Sequence, residues 1–180
     1  MTLIDATGTV LFESGHTNSD GSIVGNENDI DATRYEPHYQ VITEPDQVQI
    51  YETILTDSEG NVTTTLLYGA GYLKDNRLLP LGFDQGAAPD SIAAYGAARE
   101  DRDFGEGRDL IHYVIDITGG IGPFKLTVEL NYQSIGYRWA QNLNEEAHGQ
   151  EAVEVDRFLE YYGAVPNNPV VVGKSTIEEG

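Results

Sequence analysis

Two neighbouring runs carry a period-two pattern of apolar residues. Ile111, Tyr113, Ile115 and Ile117 interleave with His112, Val114, Asp116 and Thr118. After the turn Gly119-Gly120-Ile121-Gly122-Pro123, Phe124, Leu126, Val128, Leu130 and Tyr132 interleave with Lys125, Thr127, Glu129, Asn131 and Gln133. Successive side chains of a strand point to opposite faces, so this period predicts half-buried antiparallel strands.

The same logic extends along the chain. Leu3-Ile4 and Val10-Leu11-Phe12 flank a turn at residues 5–8, a first hairpin. Residues 47–56 alternate, with Val48, Ile50 and Ile54 on one face, and Asp57-Ser58-Glu59-Gly60-Asn61 turns them into a Thr- and Leu-rich run at 62–73. A last strand is predicted over residues 170–172. One helix is predicted, where Ala152, Val155, Leu159 and Tyr162 recur at helical spacing and Gly163 can end it. Residues 74–109 read as loop with a helical turn near 89–95. The expected fold is mainly β: an antiparallel, jelly-roll-like β-sandwich with one C-terminal helix and two long loops. With 180 residues and no composition break, the chain reads as a single domain, expected to belong to a longer protein because strand-like sequence begins directly after Met1.

Thirty acidic residues against ten Lys and Arg give a formal charge of −20, which repels nucleic acid and anionic membrane. No apolar run approaches the roughly 20 residues that span a bilayer, so no membrane insertion is expected. Either a surface adapted to salty water or a set of cation ligands accounts for the acidity. With no cysteine, disulfides, thiolate metal sites, cysteine nucleophiles and covalent haem attachment within this chain are excluded.

The first long loop, residues 15–39, crowds oxygen ligands into a segment without hydrophobic period. Against the helix-loop-helix calcium pattern, His16 stands where an Asp is required. A non-standard calcium site using Asp20, Asn26, Asn28, Asp29 and Asp31 remains, since calcium accepts six to eight oxygens in a loose cage. The plain alternative is a solvated loop of Asx-turns. A second acidic cluster, Glu100, Asp101, Asp103, Glu106 and Asp109, is interleaved with Arg99, Arg102 and Arg108 and reads as a self-compensating surface loop. Of His16, His38, His112 and His148, no pair has zinc spacing, and His112 is expected to be exposed. His38, between Pro37 and Tyr39, is the candidate ligand for a metal or for a haem iron offered by another segment; its plain alternative is a histidine bonded to a carboxylate.

Catalytic signatures are missing. Ser134 lacks the glycine of a nucleophile elbow, no glycine run forms a phosphate loop, and acidic pairs are too numerous for any one to mark a glycosidase. Tyr132, Tyr137, Trp139, Tyr161 and Tyr162 suit a sugar platform. The run from Tyr137 to Leu143 is more economically read as the end of a core strand turning a corner, with the Trp under the helix and Arg138 covering it.

Several longer strings carry a resemblance: Arg34-Tyr35-Glu36-Pro37-His38-Tyr39, Pro45-Asp46-Gln47-Val48-Gln49-Ile50-Tyr51-Glu52, and Tyr72-Leu73-Lys74-Asp75-Asn76-Arg77-Leu78-Leu79-Pro80 with Gly82-Phe83-Asp84. Tyr137-Arg138-Trp139 with Asn142-Leu143 completes them. Together they resemble the cysteine-free C-terminal region that follows the haem-binding part of bacterial multihaem cytochrome-c-like proteins. The resemblance implies a periplasmic or extracellular protein of an electron-transfer chain, with a haem-bearing segment or cytochrome subunit as its partner. The family's haem ligands have no counterpart here, since no Cys-x-x-Cys-His occurs.

The function expected from these features is a non-catalytic accessory or partner-docking domain of an exported, cytochrome-associated protein, with a structural calcium in the 18–31 loop. A carbohydrate-binding sandwich and a hydrolase with an unrecognised carboxylate site are the alternatives.

Overall fold

A computed structural model of the chain describes residues 1–146 and 151–179. The fold is mainly β, with several antiparallel sheets and a few helices. In chain order the elements are β1 (Thr2–Ile4), β2 (Val10–Glu13), α1 (Glu27–Ile30), β3 (Val41–Ile42), β4 (Thr53–Thr56), β5 (Val62–Thr63) and β6 (Gly71–Asp75). They continue with α2 (Ala97–Glu100), β7 (His112–Tyr113), β8 (Phe124–Tyr132), α3 (Tyr137–Glu146), α4 (Glu151–Ala164) and β9 (Val170–Glu179). No described helix is long and apolar enough to cross a membrane.

The first hairpin folds as expected: β1 and β2 pair antiparallel, and Asp5 Oδ1 accepts from the Thr7 and Thr9 N–H groups across the turn. Together with β8 and β9 they make a four-stranded sheet in the order β2-β1-β8-β9. Its inner face carries Leu3, Phe12 and Leu126 against Ile42, Ile111 and Tyr113, and Phe12 meets the Tyr113 ring edge-on at 6.2 Å. A second sheet of three antiparallel strands runs β5-β4-β6, and β3 pairs with β7 in parallel. Ala94, Ala98 and Phe104 form a second small apolar cluster with Tyr51 and Leu79.

The strands are shorter than the alternation predicts. Burial alternates from Ile111 to Asp116, yet only His112–Tyr113 joins a ladder. Period-two burial needs only an extended chain lying on the core, whereas a ladder also needs a neighbouring backbone. At residues 47–52 side chains replace that neighbour: Asn76 takes the Glu52 N–H and gives to the Ile50 carbonyl, and Ser14 Oγ gives to the Gln47 carbonyl. The run at 62–73 breaks into β5 and β6 around an exposed turn, with Leu67 93% exposed. Conversely, the predicted strand at 170–172 extends to ten residues by pairing with β8.

The single predicted C-terminal helix is found as α4, but a second helix, α3, precedes it. Tyr137-Arg138-Trp139 therefore opens a helix instead of ending a strand. The expected roles of Arg138 and Trp139 also change. Arg138 is the buried one, donating to the Asn28 and Asp29 carbonyls at 2.7 and 2.8 Å, while Trp139 is half-buried beside it. Both carbonyls belong to the short helix α1, whose carbonyls otherwise go largely unpaired, so the guanidinium fork ties α3 to the acidic loop.

Candidate functional site

The interior is unusually polar, and its centre is His38. The imidazole is 0% exposed and bridges four stretches of chain. Nε2 lies 3.1 Å from Asp101 Oδ2, while Nδ1 lies 2.9 Å from Gln49 Nε2 and 3.1 Å from Asn76 Nδ2. Both amides are fixed from their other ends. Gln49 Oε1 accepts from the Tyr39 N–H, and Asn76 Oδ1 accepts from the Glu52 N–H while its NH₂ gives to the Ile50 carbonyl. Nδ1 therefore faces two donors and must be an acceptor, which puts the proton on Nε2, aimed at Asp101. The Phe104 ring stands edge-on to the imidazole at 5.0 Å.

Two carboxylates close this knot. Burial alone would raise Asp101, but the Asp103 N–H, His38 and the Gln40 side chain outweigh it and hold the carboxyl below its ordinary range. Asp109 Oδ2 accepts from Tyr51 Oη at 2.6 Å and Gln49 Nε2 at 3.2 Å. Its Oδ1 is buried, has no protein partner, and lies 3.9 Å from His38 Nε2. Burial, with the bond to Asp109, raises the Tyr51 phenol and keeps it a donor.

His38, Asp101 and Asp109 have ligand atoms within 4.8 Å of one another, the spacing of a metal site. The donor set does not fit one. A neutral histidine that binds metal through Nε2 carries its proton on Nδ1 and gives it to a carboxylate, carbonyl or water. Here two oriented NH₂ groups occupy that position. In this arrangement neither nitrogen is open to a haem iron either. The group also lacks the exposed nitrogen and adjacent hydroxyl or thiol of a catalytic triad.

Next to the knot, Lys74 is 1% exposed and bonds Glu52 Oε1 at 3.1 Å. Desolvation lowers the ammonium and raises the carboxyl, each countered by the other. Glu52 is the outward member, and it reaches a cleft of about 490 Å³ between the 48–52 segment, β8 and the start of α3. Tyr51, Tyr113, Tyr132, Tyr137 and Trp139 line this cleft, together with Asp29, Glu52, Asn131 and Gln133. Asp29 is raised by burial, against the Ile23 N–H, the Asn26 side chain and Arg138. Of the five aromatics singled out in the sequence, Tyr132, Tyr137 and Trp139 meet at the cleft. Tyr162 stacks on Phe158 of α4 at 5.6 Å, and Tyr161 is exposed.

The five candidate calcium residues sit in one loop, held by short-range bonds. Asp20 Oδ1 takes the Ser22 N–H and hydroxyl, Asp31 Oδ1 takes those of Thr33, and Asp29 Oδ2 takes the Ile23 N–H. Asn26 caps α1 through the Asn28 N–H, and Asn28 Nδ2 gives to the Arg34 carbonyl. His16 and His112 are exposed; His148 lies outside the described residues. The second acidic cluster is not wholly a surface loop: Asp101 and Asp109 turn inward, their side chains 1% and 2% exposed. No local pattern in 100–109 distinguishes those two acids from Glu100 or Glu106. The available signal lay elsewhere, in polar residues at expected core positions such as Gln49, Lys74 and Asn76.

No family model, curated protein or solved structure matches this chain.

Proposed function

We propose that this chain is a non-catalytic binding domain of an exported protein, and that its working surface is the aromatic cleft, which takes a saccharide. The observation that carries this is the company of Tyr132, Tyr137 and Trp139 with carboxylate and amide groups around about 490 Å³. Aromatic faces stack on pyranose rings while the polar groups bond hydroxyls. The cleft cations are already engaged, Arg138 with backbone carbonyls and Arg77 with Asp75, so the cleft offers acceptors to a ligand rich in O–H donors. Calorimetric titration with a panel of oligosaccharides is expected to find a binder, and Trp139→Ala to weaken it at least about tenfold, equal to about 1.4 kcal/mol. No binder, or one indifferent to Trp139 and Tyr137, would sink the saccharide assignment.

A hydrolase is the second possibility, favoured by one observation: Asp29 and Glu52 line the same cleft, and burial raises both. Chromogenic glycosides decide this. Turnover abolished in Glu52→Gln with binding retained would establish a catalytic carboxyl, and no turnover would leave a binding site.

The proposal includes a structural calcium in the 18–31 loop, supported by its oxygen-rich composition. A rise of several degrees in melting temperature on adding calcium to EDTA-stripped protein is the expected result, since saturation to about 100 times Kd adds about 2.7 kcal/mol. A flat response would assign those oxygens to the turns alone. The neighbouring cytochrome and the periplasmic or extracellular placement rest on the resemblance alone. The jelly-roll-like sandwich is likewise proposed, with sheets of four and three strands as its support.

A further inference from the structure

The four-stranded sheet ends on β9, which pairs with β8 on one side and, among the described residues, with no strand on the other. Every residue of its ten except Gly173 is exposed. Folded proteins blunt sheet edges with short strands, prolines, bulges or charges, because a free row of N–H and C=O groups recruits another strand. The opposite edge, β2, is only four residues long. On β9 the single irregularity falls where the register slips between Leu130 and Asn131, leaving residues 173–179 as a regular, proline-free edge.

The charges on this edge are self-complementary. On one face of the sheet, Lys174 bonds Glu129 at 2.6 Å and Glu178 faces Lys125 at 3.8 Å. Thr176 lies between them, opposite Thr127. Two β9 strands run antiparallel about a two-fold axis at Thr176 would set each Lys174 opposite the second copy's Glu178. The row across the four central strands would then read Glu129, Lys174, Glu178, Lys125, alternating in sign at every step. Thr176 is also the midpoint of 173–179, so the whole regular stretch would pair. Moving the axis by one residue toward the N-terminus puts Lys174 opposite Thr176 and removes the match. Cross-strand opposite charges stabilise a ladder and like charges oppose it, which selects this register.

We propose that β9 is a homodimer interface, joining two copies through residues 173–179 into one continuous eight-stranded sheet. The overall charge of −20 opposes association at long range, but the Debye length is about 8 Å at physiological salt. The charged row itself is neutral, with two lysines and two glutamates per copy, and Glu179, whose side chain falls on the other face, would stand opposite Gly173 of the second copy.

Because the chain has no cysteine, the contact can be tested with one. Facing residues on antiparallel strands have Cα atoms about 4.5–5.5 Å apart, within the usual disulfide range of about 4.4–6.8 Å. Mild oxidation of Thr176→Cys is expected to give a covalent dimer, and the same treatment of Val171→Cys to give none. Sedimentation over a concentration series should show the parent chain dimerising. The paired reversals E129K/K174E and K125E/E178K each keep the ion pair within the chain but set like charges across the two-fold axis. Each alone should dimerise about tenfold or more weakly, while a mixture of the two should form a heterodimer. A parent chain that stays monomeric, equal cross-linking at 176 and 171, or dimerisation indifferent to both reversals would overturn the proposal.

Discussion

The His38 knot and the 15–39 loop use the same polar chemistry at opposite ranges. In the loop, Asp20, Asp29, Asp31 and Asn26 accept from residues two to six positions away. In the knot, His38 reaches Gln49, Asn76 and Asp101 across 11, 38 and 63 positions. A local Asx-turn forms wherever the chain happens to lie, exposed at Asp20 and Asp31 and buried at Asn26. A long-range polar contact exists only if the surrounding fold holds both partners, and once buried it cannot fall back on solvent. The two regions should therefore differ sharply in what a lost side chain costs.

Asn76→Ala should show the largest effect. It strips partners from the Glu52 N–H, the Ile50 carbonyl and His38 Nδ1 at a site 0% exposed. We expect about 3 kcal/mol or more lost in urea denaturation, since each buried unpaired group costs about 1–3 kcal/mol. A loss under 1 kcal/mol would mean the knot is not held as described. Gly25→Ala comes next. Gly25 has φ 92°, and a Cβ there would sit 2.6 Å from the Asp46 carbonyl oxygen. Strain and clash should together cost about 2 kcal/mol, making this backbone approach, rather than any carboxylate, the costliest single change in the loop.

Acid titration separates Asp101 of the knot from Asp29 of the loop by sign, whereas Asp20 and Asp31, held low by their turn bonds, share the sign of Asp101. Asp101 is held below its ordinary 3.8, so the unfolded chain binds more protons in that window. Its contribution is complete above 3.8 and is lost as pH falls through the folded value. Asp29 is raised, so its ionisation works against the fold as pH rises above 3.8. Stability measured from about pH 3 to 7 should lose part of its acid-side slope in Asp101→Asn. In Asp29→Asn, stability above pH 3.8 should rise relative to the parent. The reverse pattern would break the contrast. Smallest of all, Asp20→Ala and Asp31→Ala should change the melting temperature no more than ordinary surface substitutions do. Calorimetry on calcium-free protein would check this, free of any contribution from a bound ion.

Local features of the fold were legible without coordinates. The β1–β2 hairpin, the long β8 strand, the exposed face of His112 and the α4 helix each follow from period and turn chemistry, which act over a few residues. Tyr132, Tyr137 and Trp139 stood out as a group in the sequence, though not the cleft that gathers them. Tertiary context decided the rest. Tyr137-Arg138-Trp139 opens a helix from which Arg138 reaches the carbonyls of Asn28 and Asp29, more than a hundred positions away. Residues 47–52 lie outside any ladder, and there the Asn76 amide pairs the Glu52 N–H and the Ile50 carbonyl. The partners of His38 come from three segments with no shared period. A repeating pattern encodes which way side chains face, but the pairing of single polar groups depends on where the folded backbone sets them down.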